Sequence, residues 1–159
     1  MKYIPLLALA VFQVVLGIIL LYKRHDKVSR VFMYLTTMLF VWTGINVTLD
    51  VMTHISDRRI TPSELALING LNTSGFVTAS VILLLLYQSV LAALSISSTR
   101  NSRRVILVGI VVAACCSLQA VSGYYTYDDA TLHYHYGVAS LLLVPYFVGL
   151  VWTLSLIHI

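Results

Sequence analysis

Apolar residues in this chain fall in long runs separated by short polar stretches. The longest run starts at Leu65 and reaches Thr99 with no ionisable side chain except Tyr87. A helix needs roughly 20 residues to cross ~30 Å of hydrocarbon, so this run predicts a membrane-spanning helix over 66–94. It is entered through Asn69-Gly-Leu-Asn72-Thr-Ser-Gly75 and ends in purely apolar turns. The polar end is expected where other helices or water satisfy two amides, and the rest in lipid or packed side chains.

Four more runs flank it: 3–22, with Pro5 in its opening turn, then 31–52, 105–122 and 138–153. The first is read as a retained anchor and not a cleaved signal, because Lys23-Arg24-His25 stands where a small-residue cleavage site would be. Thr61-Pro62-Ser63-Glu64 reads as a helix start. The fold class expected is all-α integral membrane, with five transmembrane helices. Pro145 is expected to bend the fifth.

Composition agrees: 59% of residues are hydrophobic, mean hydropathy is +0.91, and 10% are charged against ~25% in soluble domains. The net charge of +4 does not point to nucleic acid, because the cations cluster in short linkers. Lys23, Arg24, Lys27, Arg30, Arg100, Arg103 and Arg104 follow the first and third runs; Lys2, Arg58 and Arg59 lie on the other side. Seven against three puts the amino terminus outside and the two basic linkers in the cytoplasm. The protein is therefore expected to be multi-pass in the plasma or inner membrane, with the bilayer as a partner. The loop 123–137 is then external, its tyrosines suited to the interface. Cys115 and Cys116, adjacent in an apolar run, read as two buried thiols.

The candidate ligand-binding residues are the polar groups in the outer halves of the spans. Asn46 and Asp50, four apart, share a helix face; Asn69 and Asn72 begin the third span at the same depth, and Gln119 ends the fourth there. They predict either an outward-opening polar pocket, with Trp42 and Tyr146 as walls, or hydrogen bonds between helices. Gln13 and Gln88 read as isolated contacts or interfacial groups. Asn46-Val-Thr and Asn72-Thr-Ser match the glycosylation pattern but lie within spans. His54, His133 and His135 share the outer side with several carboxylates and are the candidate metal ligands. The two loop histidines are expected to point in opposite directions and so not to converge on one ion. No cofactor is expected, and no catalytic motif for an enzyme can be assembled.

Several features together resemble the amino-terminal seven-helix sensor region of bacterial and archaeal histidine kinases and diguanylate cyclases. They are an anchor ending in Tyr22-Lys23-Arg24, a second helix with Arg30-Val-Phe32, Phe40-Val-Trp42 and Asn46, and a third entered by Ala66 to Phe76. Arg103-Arg104 leading into helix four and Tyr134-His-Tyr-Gly137 leading into helix five complete the pattern. The resemblance implies five helices of a seven-helix bundle, an unknown small-molecule or membrane-state stimulus, and a cytoplasmic output domain that dimerises. Leu154-Ser-Leu-Ile-His-Ile159 resembles the translation of a sequencing adapter, so the chain is expected to be a fragment and His158 to carry no function. A small transporter or a haem- or metal-binding redox protein is the competing class. The first lacks visible repeats and the second lacks histidines deep in a span.

Overall fold

The computed structural model describes residues 11–13, 15, 16, 18, 19, 27–54, 60–94, 100–128 and 131–157. Most of the predicted first span, the basic linker up to Asp26 and the arginine pair at 58–59 lie outside them. The fold is mostly helical. Its helices are α1 (Lys27–His54), α2 (Pro62–Ala93), α3 (Arg100–Cys116), α4 (Gln119–Ser122) and α5 (Ala139–Ile157); strands β1 (Tyr124–Asp128) and β2 (Thr131–His135) lie between α4 and α5. Among the described residues, two helices, Val28–His54 and Pro62–Ala93, are long and apolar enough to cross a membrane; Ala139–Ser155 is a shorter apolar helix.

Helix α2 is the axis: α1, α3, α4, α5 and β1 all pack on it. Its start is fixed locally. Thr61 caps the helix by accepting from the Glu64 N–H, the Glu64 carboxylate accepts from the Thr61 N–H at 2.9 Å, and Pro62 fills the first turn, where it has no hydrogen bond to lose. At 32 residues it extends about 48 Å, well beyond one hydrocarbon core.

One predicted span and one predicted loop differ in the structure. The run 105–122 is not one helix: α3 ends at Cys116, Leu118 is extended (φ −81°, ψ 123°), and a single turn, α4, follows. Ser117 contributes to the break, since its hydroxyl donates to the Ala114 carbonyl at 2.7 Å and competes with the helix backbone. The loop 123–137 is an antiparallel hairpin pairing Tyr124 with His135 and Asp128 with Thr131. Helix α5 runs through Pro145 without interruption. Of the two adjacent thiols, Cys116 is buried and Cys115 only half-buried.

The polarity of the exterior and interior is unusual. Leu107, Ile110, Leu141, Val144, Val148 and Trp152 are 58% to 70% exposed, whereas Thr36, Thr43, Ser80, Ser89, Ser102 and Ser122 are buried. The helix hydroxyls satisfy themselves within their own turns: Thr36, Thr43 and Thr48 donate four residues back, and Ser80 and Ser89 three residues back, all at 2.7–2.9 Å. Small hydroxylated residues inside and large apolar ones outside reverse the distribution of a soluble protein. Gln13 is not solitary; it is buried with its amide 3.5 Å from the Thr43 hydroxyl.

Candidate functional site

At the start of α2, three side chains hold the base of the hairpin. The Asn69 Oδ1 accepts from the Tyr125 N–H at 2.6 Å and its Nδ2 donates to the Tyr125 carbonyl at 3.0 Å. In a strand these two backbone groups of one residue point the same way, so the carboxamide supplies the donor and acceptor that a neighbouring strand would have offered. One turn on, the Asn72 Nδ2 donates to the Gly123 carbonyl at 2.9 Å, and the Thr73 and Ser122 hydroxyls meet at 2.9 Å. Gly123 joins α4 to β1 at φ +85°, ψ 164°, a region essentially restricted to glycine. Gly137 lies so close to Gly123 and Val121 that a Cβ there would run into their backbone atoms.

On the other side of Asn72 is a cavity of about 160 Å³ between α1 and α2, closed at one edge by Leu143 of α5. Trp42, Asn46, Asn72, Gly75 and Phe76 line it. The Asn46 Nδ2 donates to the Trp42 carbonyl at 2.7 Å, which ties that side chain to its own helix. Of the seven candidate residues, the structure brings Trp42, Asn46 and Asn72 together here. Asn69 and Gln119 line a separate open groove along the first turns of α2. Asp50 stands beyond the cavity, with the His54 Nδ1 3.1 Å from its carboxylate. Tyr146 is not a wall of this cavity: it packs with Tyr87, Leu91 and Leu150 in the main apolar cluster, its hydroxyl over Gly109. The α5 residue at the cavity is Leu143, nearly one turn before Tyr146, which lies further along the bundle beside Tyr87 and Leu91.

The hairpin presents two faces. Tyr124, Thr126, His133 and His135 lie on one, Tyr125 and Tyr134 on the other. His133 and His135 therefore point the same way, because residues two apart in a strand share a face; the expected divergence is corrected. Thr131 and Thr126 hydroxyls hold their Nε2 atoms at 2.6 and 2.8 Å, and Tyr124 stacks on His135 with centroids 4.8 Å apart. Among the described residues no three His, Cys, Asp or Glu side chains gather to hold a metal ion, and His54 belongs to α1, paired with Asp50. On the second face, burial and then the neighbouring Tyr134 and Tyr136 push the Tyr125 phenol above the ordinary tyrosine range, so it stays neutral at physiological pH. Tyr134 returns its hydroxyl to the Ser122 carbonyl at 3.0 Å.

The residues that the polar pattern did not single out are Thr73, Ser122, Gly123 and Tyr125, which form the other half of the clamp. The enrichment in Tyr and Thr, both strand-favouring, on either side of Asp128-Asp129 is the signal that marks the hairpin. No family model, curated protein or solved structure matches the chain.

Proposed function

We propose that the chain is the membrane-embedded signal-input region of a signalling protein, multi-pass in the plasma or inner membrane, with its hairpin on the outer side. The finer reading is five spans of a seven-helix bundle. The output, a histidine kinase or a related cyclase, would lie on the cytoplasmic side and dimerise. The apolar exterior and hydroxyl-rich interior support insertion in a bilayer. The resemblance built on Tyr22-Lys23-Arg24, Trp42, Asn46 and Ala66 to Phe76 supports the kind of signalling protein.

The observation that carries an input role is the double placement of Asn72. Its nitrogen holds the Gly123 carbonyl of the hairpin base while the same side chain lines the cavity against α1. A molecule in that cavity bears on α1, on α2 and on the hairpin seat together. Helix α2 then carries the displacement roughly 25 Å from Asn72 to the cluster of Tyr87, Leu91, Tyr146 and Leu150. The stimulus acts by binding two arrangements of the bundle with different affinity, and it shifts their balance by no more than that difference.

In the full-length protein, Asn46→Leu and Asn72→Ala are expected to abolish the response to the stimulus at unchanged membrane expression, whereas Asp50→Asn leaves most of it. Output activity measured in membrane vesicles checks this. A response that persists in both cavity variants would sink the input role.

A further inference from the structure

No charged side chain lines the cavity between α1 and α2. A carboxylate or ammonium group would lose its hydration there without a counter-charge, which costs far more than a neutral contact returns. The polar groups present are the Trp42 indole and two carboxamides. Both N–H groups of Asn72 are committed, to the Ser122 and Gly123 carbonyls at 3.4 and 2.9 Å, while Asn46 spends one on the Trp42 carbonyl and keeps the other. Carbonyls only accept, so these bonds fix which end of each amide is nitrogen. No described donor reaches either Oδ1. What the two side chains have left for a ligand is two acceptor oxygens and one N–H of Asn46.

Size and shape narrow the occupant further. At about 160 Å³ the space matches an engineered cavity of roughly 150 Å³ that takes benzene. Trp42 and Phe76 add aromatic surface, while Leu143 and Ala79 complete apolar walls. We infer that the cavity binds a neutral, ring-sized, mostly apolar molecule carrying one O–H or N–H donor, phenol and indole being the simplest members. The ring lies among Trp42, Phe76 and Leu143, and the donor bonds to the Oδ1 of Asn46 or Asn72. The inference deepens the input-site reading and rests on it.

The test uses the full chain in phosphatidylcholine nanodiscs with Trp152→Phe, which leaves Trp42 as the one tryptophan to report binding by fluorescence. The probes are phenol, toluene (same size, no donor), benzoate (same ring, charged) and octane (an acyl-chain mimic), each corrected for partition into empty nanodiscs. Phenol is expected to saturate and to bind about five- to tenfold more tightly than toluene, the effect of one neutral hydrogen bond. Asn46→Leu should shrink that preference, and Ala79→Leu, which fills the space without touching the hairpin clamp, should remove saturable binding of both. Equal binding of phenol and toluene, both blocked by Ala79→Leu, would overturn the donor requirement and leave the cavity as a site. Tighter binding of benzoate overturns neutrality, and tighter binding of octane assigns the space to a lipid chain. Absence of any saturable binding sensitive to Ala79→Leu overturns the site. Full-length protein that still responds with Ala79→Leu, although that substitution abolishes phenol binding, overturns the input role alone.

Discussion

The two ends of α2 are held by different physics. At its start, Asn69, Asn72 and Thr73 grip backbone and hydroxyl groups at and just before a hairpin about fifty residues away. At its far end, Tyr87 is fully buried among Leu91, Tyr146 and Leu150, and the hydroxyls of Tyr87 and Tyr146 have no hydrogen-bond partner among the described residues. Directional bonds define the hairpin end, the outer one in the proposed orientation, and packing alone defines the inner one. In the proposed input role, the head needs a fixed geometry, and an element that passes on movement needs neighbours it can slide against. The contrast follows that division: apolar contacts tolerate small shifts that a two-pronged amide bond does not.

The most severe way to break the outer end is at Gly137. A Cβ there meets the Val121 carbonyl and the Gly123 nitrogen, which are backbone and cannot swing aside. Gly137→Ala is expected to open the hairpin neck at a cost of about 3 kcal/mol or more, seen as fast amide exchange across Tyr124–His135. If exchange stays slow, the two glycines do not set the neck. A milder loss comes from Asn69→Ala, which strips the Tyr125 N–H and carbonyl of their partner. Roughly 1–3 kcal/mol of hairpin docking should go, read as faster exchange of the Tyr125 amide and a lower denaturation midpoint. The smallest effect has the opposite sign. Tyr146→Phe removes a buried hydroxyl without a partner, so the bundle should gain up to about 1 kcal/mol. A lower melting midpoint in that variant would mean that the inner end is also organised by hydrogen bonds.

Much of this was legible along the chain. The capping residues Thr61, Pro62 and Glu64 and the uncharged run behind them specify α2, because a helix start and a span depend on neighbours in sequence. Asn69 and Asn72 stood out as amides in an apolar run, but their partners did not. The hydrogen-bonding capacity of an amide is written in its side chain, whereas the carbonyls of Ser122 and Gly123 are the same in every residue and gain meaning only from position. The Tyr and Thr residues flanking Asp128-Asp129 favour strands, but so short a polar stretch between two apolar runs also fits a surface loop. Trp42, Asn46 and Asn72 converge because α1 and α2 lie side by side, while Tyr146 fell to another cluster through the register of α5.

The sequence by itself determined the long apolar helices, the start of α2 and the presence of amides where none can be left unpaired, since each follows from short-range hydrogen bonding and from hydropathy. Only the tertiary structure decided that Asn69 acts as a neighbouring strand, that Asn72 joins the hairpin to a cavity, and that His133 and His135 share a face. Those outcomes depend on the packing of elements far apart in sequence, which the order of residues encodes only through the whole fold.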